Sequence, residues 1–400
     1  MPPFVRLALT TLLVLLIASG CRQEPPSVSP EEGRPTAAVV DSLTRDVQER
    51  YDLPAVAAVV VRSDSILAVS ATGVRRRGRS VEVSVRDRFH LGSNTKAMTA
   101  TLIALLVEED TLSWETTPAE VFPGLSDAIS PALRDVTIEQ LLAHRAGIQP
   151  FTNTREYQAL PPLDGDPKAR RAAFSRFLLQ REPAYRPDSA FVYSNAGYAI
   201  AAAMAEQVRG VSLEQMMRQR LFEPLDIDGG FGWPVAVDSS QPWGHRTRGG
   251  DSLQVHVPKD GYSRGLGPLW TAAGDVHMNL PDYGRFLQLH LRGLRGEETK
   301  LLTPSTIRDI HASRGQMTGD TEGPGYGLGW VVHEFLGAPS SSHAGSVGTF
   351  KARATVQASR DLAVAVVANA GHDAADEATI ELRKALLEWY RGEQKQLTTK

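Results

Sequence analysis

Two runs of small and branched apolar residues near opposite ends of the chain, Ala55-Val-Ala-Ala-Val-Val-Val61 and Leu362-Ala-Val-Ala-Val-Val-Ala368, constrain the fold more than any other feature. Each is too short for a buried helix and rich in β-branched residues, so each reads as a strand, the first extending to Arg62. Ser65–Ser70 and Phe350–Gln357 add a strand beside each run. Helical patterns cover Val40–Tyr51 and Asp376–Arg391 outside these strands, and Lys96–Glu109, Thr137–Ala143, Asp166–Gln180, Tyr198–Val208 and Ser212–Leu221 between them. Thr137-Ile-Glu-Gln140 and Ser212-Leu-Glu-Gln215 fit the capping-box pattern of helix starts. Strands at both ends around a helical middle predict an α+β fold, an α/β sandwich. Its central antiparallel β-sheet is made from N- and C-terminal segments flanked by helices, with a mostly helical subdomain inserted at about 98–240. A cleft between two such lobes is a natural active site.

The formal charge of −3 lacks the basic excess of a nucleic-acid binder, and 22% charged residues argues against global disorder. A single cysteine, Cys21, excludes an intrachain disulfide, a Cys-rich zinc site and an iron–sulfur cluster. That cysteine closes an N-terminal stretch in which Arg6 precedes the apolar run Leu7–Ala18, shorter than the roughly 20 residues of a spanning helix. Ile17-Ala18-Ser19-Gly20-Cys21 resembles a bacterial lipobox, although Ala18 stands where Leu is usual. The expected organisation is a signal peptide over 1–20 and a lipidated Cys21 with a disordered Pro-rich tether over 21–37. A folded domain over 38–392 and a flexible tail over 393–400 follow. The chain is thereby expected in a bacterial cell envelope, exported and held to the membrane through Cys21. A plain signal peptide releasing a soluble secreted protein is the alternative. The basic run Arg75-Arg76-Arg77-Gly78-Arg79 reads as an exposed loop, with polyanion or headgroup contact as the other reading.

Three short motifs carry chemistry. In Leu91-Gly92-Ser93-Asn94-Thr95-Lys96, Ser93 and Lys96 are three apart at the head of an apolar helix and so share a face. The helix N-terminus favours an oxyanion there, and desolvation lowers the lysine pKa toward the range where it takes a proton from the serine. S-x-x-K arises about 0.6 times by chance in this composition, and a capping serine with a solvent-seeking lysine reads equally well. The second motif, Tyr193-Ser194-Asn195, is rarer, about 0.1 by chance. A tyrosine near an ammonium shuttles protons, and an amide two residues on holds a carbonyl; a turn with a buried aromatic is the structural reading. The third, His343-Ala344-Gly345-Ser346, precedes a strand and is expected about 0.9 times, so its weight comes from order and placement.

In the order Ser93/Lys96, Tyr193/Asn195, His343/Gly345, these motifs resemble the penicillin-recognising serine hydrolases. The Tyr-x-Asn motif points to the branch holding class C β-lactamases, D-alanyl-D-alanine carboxypeptidases and related esterases. Arg88-Phe89-His90-Leu91-Gly92, Leu106-Val-Glu-Glu-Asp-Thr-Leu112, Thr137-Ile-Glu-Gln-Leu-Leu-Ala-His144-Arg-Ala-Gly147, Tyr326-Gly-Leu-Gly-Trp330 and Val366-Val-Ala-Asn369 extend the resemblance over most of 40–370. It implies Ser93 as nucleophile and Lys96 with Tyr193 as proton-transfer groups, either of them the base. It further implies an oxyanion hole from the N–H groups of Ser93 and Ser346, and substrate binding by Asn195, His343 and Gly345. Hydrolysis runs through an acyl-enzyme of an ester, a D-amino-acid peptide or a β-lactam, with no cofactor, no metal and no obligate protein partner.

Departures narrow the substrate. Ala344 lacks the hydroxyl that many members use to hold a substrate carboxylate, so esters are expected to outrank β-lactams unless Ser346 or a neighbouring Arg supplies the contact. Pro187-Asp188 stands where Pro-Gly is frequent and reads as a turn variant, and His144 reads as structural. Other classes fit worse. His333-Glu334 lacks the second histidine of a zinc motif, no G-x-S-x-G surrounds Ser93, and Gly265-Leu-Gly267 and Gly325-Tyr-Gly327 complete no dinucleotide fingerprint. Two readings stand: an active serine hydrolase, and a non-catalytic envelope protein binding peptide or cell-wall fragments on the same scaffold. Only the first needs a serine–lysine pair.

Overall fold

The computed structural model describes residues 34–247, 253–255, 267–319 and 323–398. The expected signal peptide, Cys21 and most of the expected tether lie outside the described residues. Among the described residues the strands are β1 (Ala55–Val61), β2 (Ile66–Gly73), β3 (Phe89–His90), β4 (Gly230–Phe231), β5 (His245–Thr247) and β6 (Leu253–Val255), then β7 (Val276–Met278), β8 (Gly325–Tyr326), β9 (Val331–Glu334), β10 (Pro339–Ser346), β11 (Lys351–Gln357) and β12 (Leu362–Ala368). Seven form one antiparallel sheet in the order β2-β1-β12-β11-β10-β9-β8. The two apolar runs are neighbours inside it, paired from Val56↔Ala368 to Val61↔Ala363.

Those runs lack polar alternation because both faces are covered. Ala55, Ala57, Val59 and Val61 face the core shared with the helical middle. Val56, Ala58 and Val60 face a second core under the terminal helices Arg34–Arg50 and Asp373–Thr398. The expected central antiparallel sheet from both ends of the chain, flanked by helices, is what the structure has.

Several boundaries differ. The first helix begins at Arg34, inside the stretch assigned to the tether, with Pro35 in its first turn where a missing N–H is tolerated. The last helix runs to Thr398 instead of ending at Arg391, so the tail expected over 393–400 is helical through Thr398. His343–Ser346 precedes β11 as expected, but it is also itself the end of a strand, β10, whose Pro-Ser-Ser-Ser start has no apolar alternation and which is held by pairing with β9 and β11. Helices Leu280–Leu294 and Pro304–His311 are additional helical material beyond 240. Thr137 makes the full capping box with Gln140, whereas Ser212 only accepts from the Gln215 N–H. The basic loop is internally partnered: Arg75 pairs with Asp87, Arg77 with Asp52, and Arg76 lies 4.6 Å from the Trp243 ring centroid.

The helical lobe is pinned by a buried charge cluster. Arg171, fully buried on Pro167–Leu179, donates through Nε to Glu206 at 3.1 Å and through Nη1 to Glu214 at 2.8 Å. Glu206 lies on the helix Asn195–Arg209, whose first residue belongs to the second motif, and its carboxylate also accepts the Leu213 N–H. Removing one partner leaves a buried charge without compensation. Arg171→Ala is expected to lower unfolding free energy by about 3–5 kcal/mol, read from urea denaturation.

Candidate active site

Between Phe89 and Leu106 every residue is buried except Ser93. It sits on a single 3-10 turn, Gly92–Asn94, that runs into the helix Thr95–Glu108. Along β10, β9 pairs with Pro339–Ser342 and not beyond, so the 343–346 edge of β10 lies open beside this turn. Contact there is backbone to backbone. A Cβ on Gly345 would fall 2.0 Å from the Leu91 carbonyl oxygen and 2.9 Å from the Ser93 nitrogen, and one on Gly92 would fall 2.6 Å from the Ser346 nitrogen. Glycine at both positions is what brings the Ser93 and Ser346 backbones together.

Lys96 is wholly buried, and burial lowers its pKa well below the ordinary lysine value. Its Nζ donates to Asn195 Oδ1 at 2.7 Å and to the Ala273 carbonyl at 2.7 Å, and lies 3.5 Å from Ser93 Oγ. The Tyr193 and Tyr198 ring centroids are 4.7 and 5.3 Å from Nζ. Burial raises the Tyr193 pKa, opposed by a side-chain hydrogen bond with Ser93. The phenol is therefore the stable form of Tyr193 and the amine is favoured at Lys96.

Asn195 is first of all a clamp on Lys96. Its Nδ2 donates to the Phe151 carbonyl at 2.9 Å, and the Tyr157 hydroxyl is a further partner. Phe151 holds this geometry at a φ of 49°, a left-handed conformation unusual for a bulky residue. His343, expected to line the cleft, is buried with both nitrogens engaged: Nδ1 donates to the Ala344 carbonyl at 2.8 Å and Nε2 accepts from the Tyr326 hydroxyl at 3.1 Å. Burial, aided by Lys96, depresses its pKa to about 3, so the ring is neutral. The Ser346 hydroxyl accepts from the Gly348 N–H at 3.3 Å and is not free of local bonding.

His144 lies under the site. Its ring packs 4.4 Å from the Tyr193 ring and 4.7 Å from Tyr326, and its Nδ1 accepts the Ser194 N–H at 3.0 Å. Burial, Lys96 and His343 all lower its pKa. Ala273, Tyr157, Tyr198 and Phe151 were not singled out from sequence. A backbone carbonyl leaves no side-chain signature, and the aromatics read as core.

Among the described residues no group of three or more His, Cys, Asp or Glu could hold a metal ion, and no helix is long and apolar enough to cross a membrane. A serine-bearing turn, a buried lysine and a tyrosine meet beside the open end of β10, the arrangement that the resemblance to the penicillin-recognising serine hydrolases implies. Residues 40–388 match the family model described as Beta-lactamase, and the chain belongs to that family. It is 30% identical over 315 residues to penicillin-binding protein 4 of Amycolatopsis lactamdurans, covering 75% of this chain and 78% of the relative. It is 24% identical over 340 residues to a β-lactamase of Escherichia coli K12, covering 84% of this chain and 80% of that one. The octameric penicillin-binding protein homologue from Pyrococcus abyssi superposes with a TM-score of 0.73 at 22% identity, over 88% of this chain and 77% of the other. The family is one of serine hydrolases of β-lactamase, penicillin-binding protein and esterase type.

The close backbone approach at Gly345 makes a direct prediction. Gly345→Ala is expected to push β10 off the Ser93 turn and cost about 1–3 kcal/mol of stability by overpacking, measured by thermal or urea unfolding. Unchanged stability would contradict the contact.

Proposed function

We propose that the chain hydrolyses an ester or amide through an acyl-enzyme on Ser93, with Lys96 as the base that takes the serine proton and Tyr193 as the phenol that relays it to the leaving group. The observation that carries this reading is the hydrogen bonding of Lys96. A neutral amine has two N–H groups, and the two short contacts, to Asn195 Oδ1 and the Ala273 carbonyl, use both. Its lone pair is then left for Ser93 Oγ at 3.5 Å. The N–H groups of Ser93 and Ser346 are the proposed oxyanion donors, each worth about 3–4 kcal/mol in such sites. Asn195 holds Lys96 and meets an acyl-side amide, while Gly345 and His343 form the wall along which substrate lies.

The proposed substrate is a neutral acyl compound, an ester ahead of a carboxylate-bearing β-lactam or D-alanyl peptide. Ala344 offers no hydroxyl, and the cations in register with Ala344 and Ser346, Arg353 and Lys351, both pair with Asp376 at 2.8 and 3.2 Å. We further propose one hydrolase domain bounded by the helices Arg34–Arg50 and Asp373–Thr398, exported to the cell envelope and anchored through Cys21, on the strength of the apolar run and small residues before that cysteine.

Intact-protein mass spectrometry is expected to find one fluorophosphonate adduct, on Ser93, and none on Ser93→Ala; no adduct on the wild type would leave the binding-protein reading. A base works when deprotonated, so labelling is expected to fall as pH drops through the depressed Lys96 pKa. It should plateau well below the ordinary lysine value and hold while Tyr193 stays protonated. In a substrate screen, p-nitrophenyl esters are expected to turn over faster than nitrocefin and D-Ala-D-Ala peptides; efficient nitrocefin turnover would overturn the neutral-substrate reading.

A further inference from the structure

We propose that His90 and Asp275 are a positioning couple that locks Gly92 and so aims the Ser93 N–H. This rests on the reading of Ser93 as nucleophile. His90 ends β3 and is fully buried, and its Nδ1 accepts the Gly92 N–H at 3.1 Å. A ring nitrogen that accepts carries no proton, so the neutral imidazole bears its proton on Nε2, which faces Asp275 Oδ1 at 3.3 Å. Asp275 is buried too, and the Trp233 ring lies 5.3 Å from the imidazole, which restrains its plane. The carboxylate therefore selects the tautomer that leaves Nδ1 open to Gly92.

Gly92 needs this help. Its φ of 53° and its contact with the Ser346 nitrogen demand a glycine, which by itself holds no preferred conformation. The peptide plane before it is fixed by His90. The plane after it, whose nitrogen belongs to Ser93, is fixed at the Gly92 carbonyl, which accepts the Thr95 hydroxyl at 2.8 Å; Thr95 Oγ1 in turn accepts the Val276 N–H at 3.1 Å. With both planes held, the torsions of Gly92 are set. Residues 273–276 thus serve the site twice. Ala273 takes a Lys96 proton donor while Asp275 and Val276 hold the Ser93 turn, and a Cβ on Gly274 would lie 3.6 Å from the Ser93 nitrogen.

His90→Asn keeps an acceptor near the Nδ1 position, whereas His90→Leu fills the space without one. Wild type and both variants are compared for the fluorophosphonate labelling rate at Ser93, for ester kcat and KM, and for Tm. His90→Asn is expected to stay within about threefold of wild type, and His90→Leu to lose roughly 10- to 100-fold in labelling rate and kcat with KM within about twofold. Wild-type labelling by folded His90→Leu overturns the proposal, as does a loss in His90→Asn equal to that in His90→Leu. If His90→Leu does not fold, His90→Asn decides alone: a tenfold loss overturns, and near-wild-type labelling supports. Failure of the wild type to label removes the Ser93 reading itself, a separate result from any of these.

Discussion

The burial of Lys96 is the interaction on which the site depends. An amine with no exposed surface must find acceptors within the protein, and it finds them on two separate helices: Asn195 at the head of Asn195–Arg209 and Ala273 near the end of Gly267–Gly274. Leaving such donors unmet would cost about 1–3 kcal/mol each. The lysine therefore ties together the turn that carries Ser93, the helix that follows Tyr193 and the segment that backs the Ser93 turn. Charge on the lysine is disfavoured by the same burial, so the group that organises the site is held toward the amine form that the proposed base requires.

The sheet supplies the rigid half of this arrangement. Because β1 and β12 are covered on both faces, the register between the two ends of the chain is strongly specified, since a one-residue slip would exchange the residues of one core for those of the other. β11 continues that register to β10, pairing Gly345 with Ala352 and Ser346 with Lys351. The position of the Ser346 nitrogen relative to Ser93 is thus inherited from strand pairing three strands away from the chain's first apolar run.

What sequence makes legible follows from where the information sits. Continuous apolar strands and capped helices announce themselves because side chains set them: Ala55–Val61, Leu362–Ala368 and the Thr137 capping box are all where residue pattern puts them. β10 does not, since its residues are small and polar and pairing on both sides determines it. Within the site, Tyr193 and Asn195 stand out through rare spacing and Ser93 and Lys96 through their order with that motif, and the fold brings them together with the 343–346 segment. The supporting groups do not. Ala273 acts through its carbonyl, Phe151 through a carbonyl and a left-handed φ, and Tyr326 and Tyr198 through hydroxyls whose value appears only once their neighbours are known. His343 is the instructive case: chain order identified it, but whether it faced substrate or protein depended on Tyr326 and on the Ala344 carbonyl, which only folding brings to its two nitrogens.

The electrostatics of the resting site follow from these contacts. His144 and His343 are neutral chiefly through burial, Tyr193 stays a phenol, and Lys96 is favoured as the amine. Before reaction the pocket then holds little fixed charge to solvate. On the proposed mechanism, proton transfer from Ser93 creates an ammonium at Lys96 as the attacked carbonyl becomes an oxyanion beside the Ser93 and Ser346 N–H groups. Each charge is costly alone in a low-dielectric site, and each is stabilised by the other when both form together. Neutral histidines around the lysine matter for this reason: a protonated His144 or His343 would oppose the ammonium in every state, whereas neutral rings leave the oxyanion as its counterpart and keep the stabilisation for the transition state.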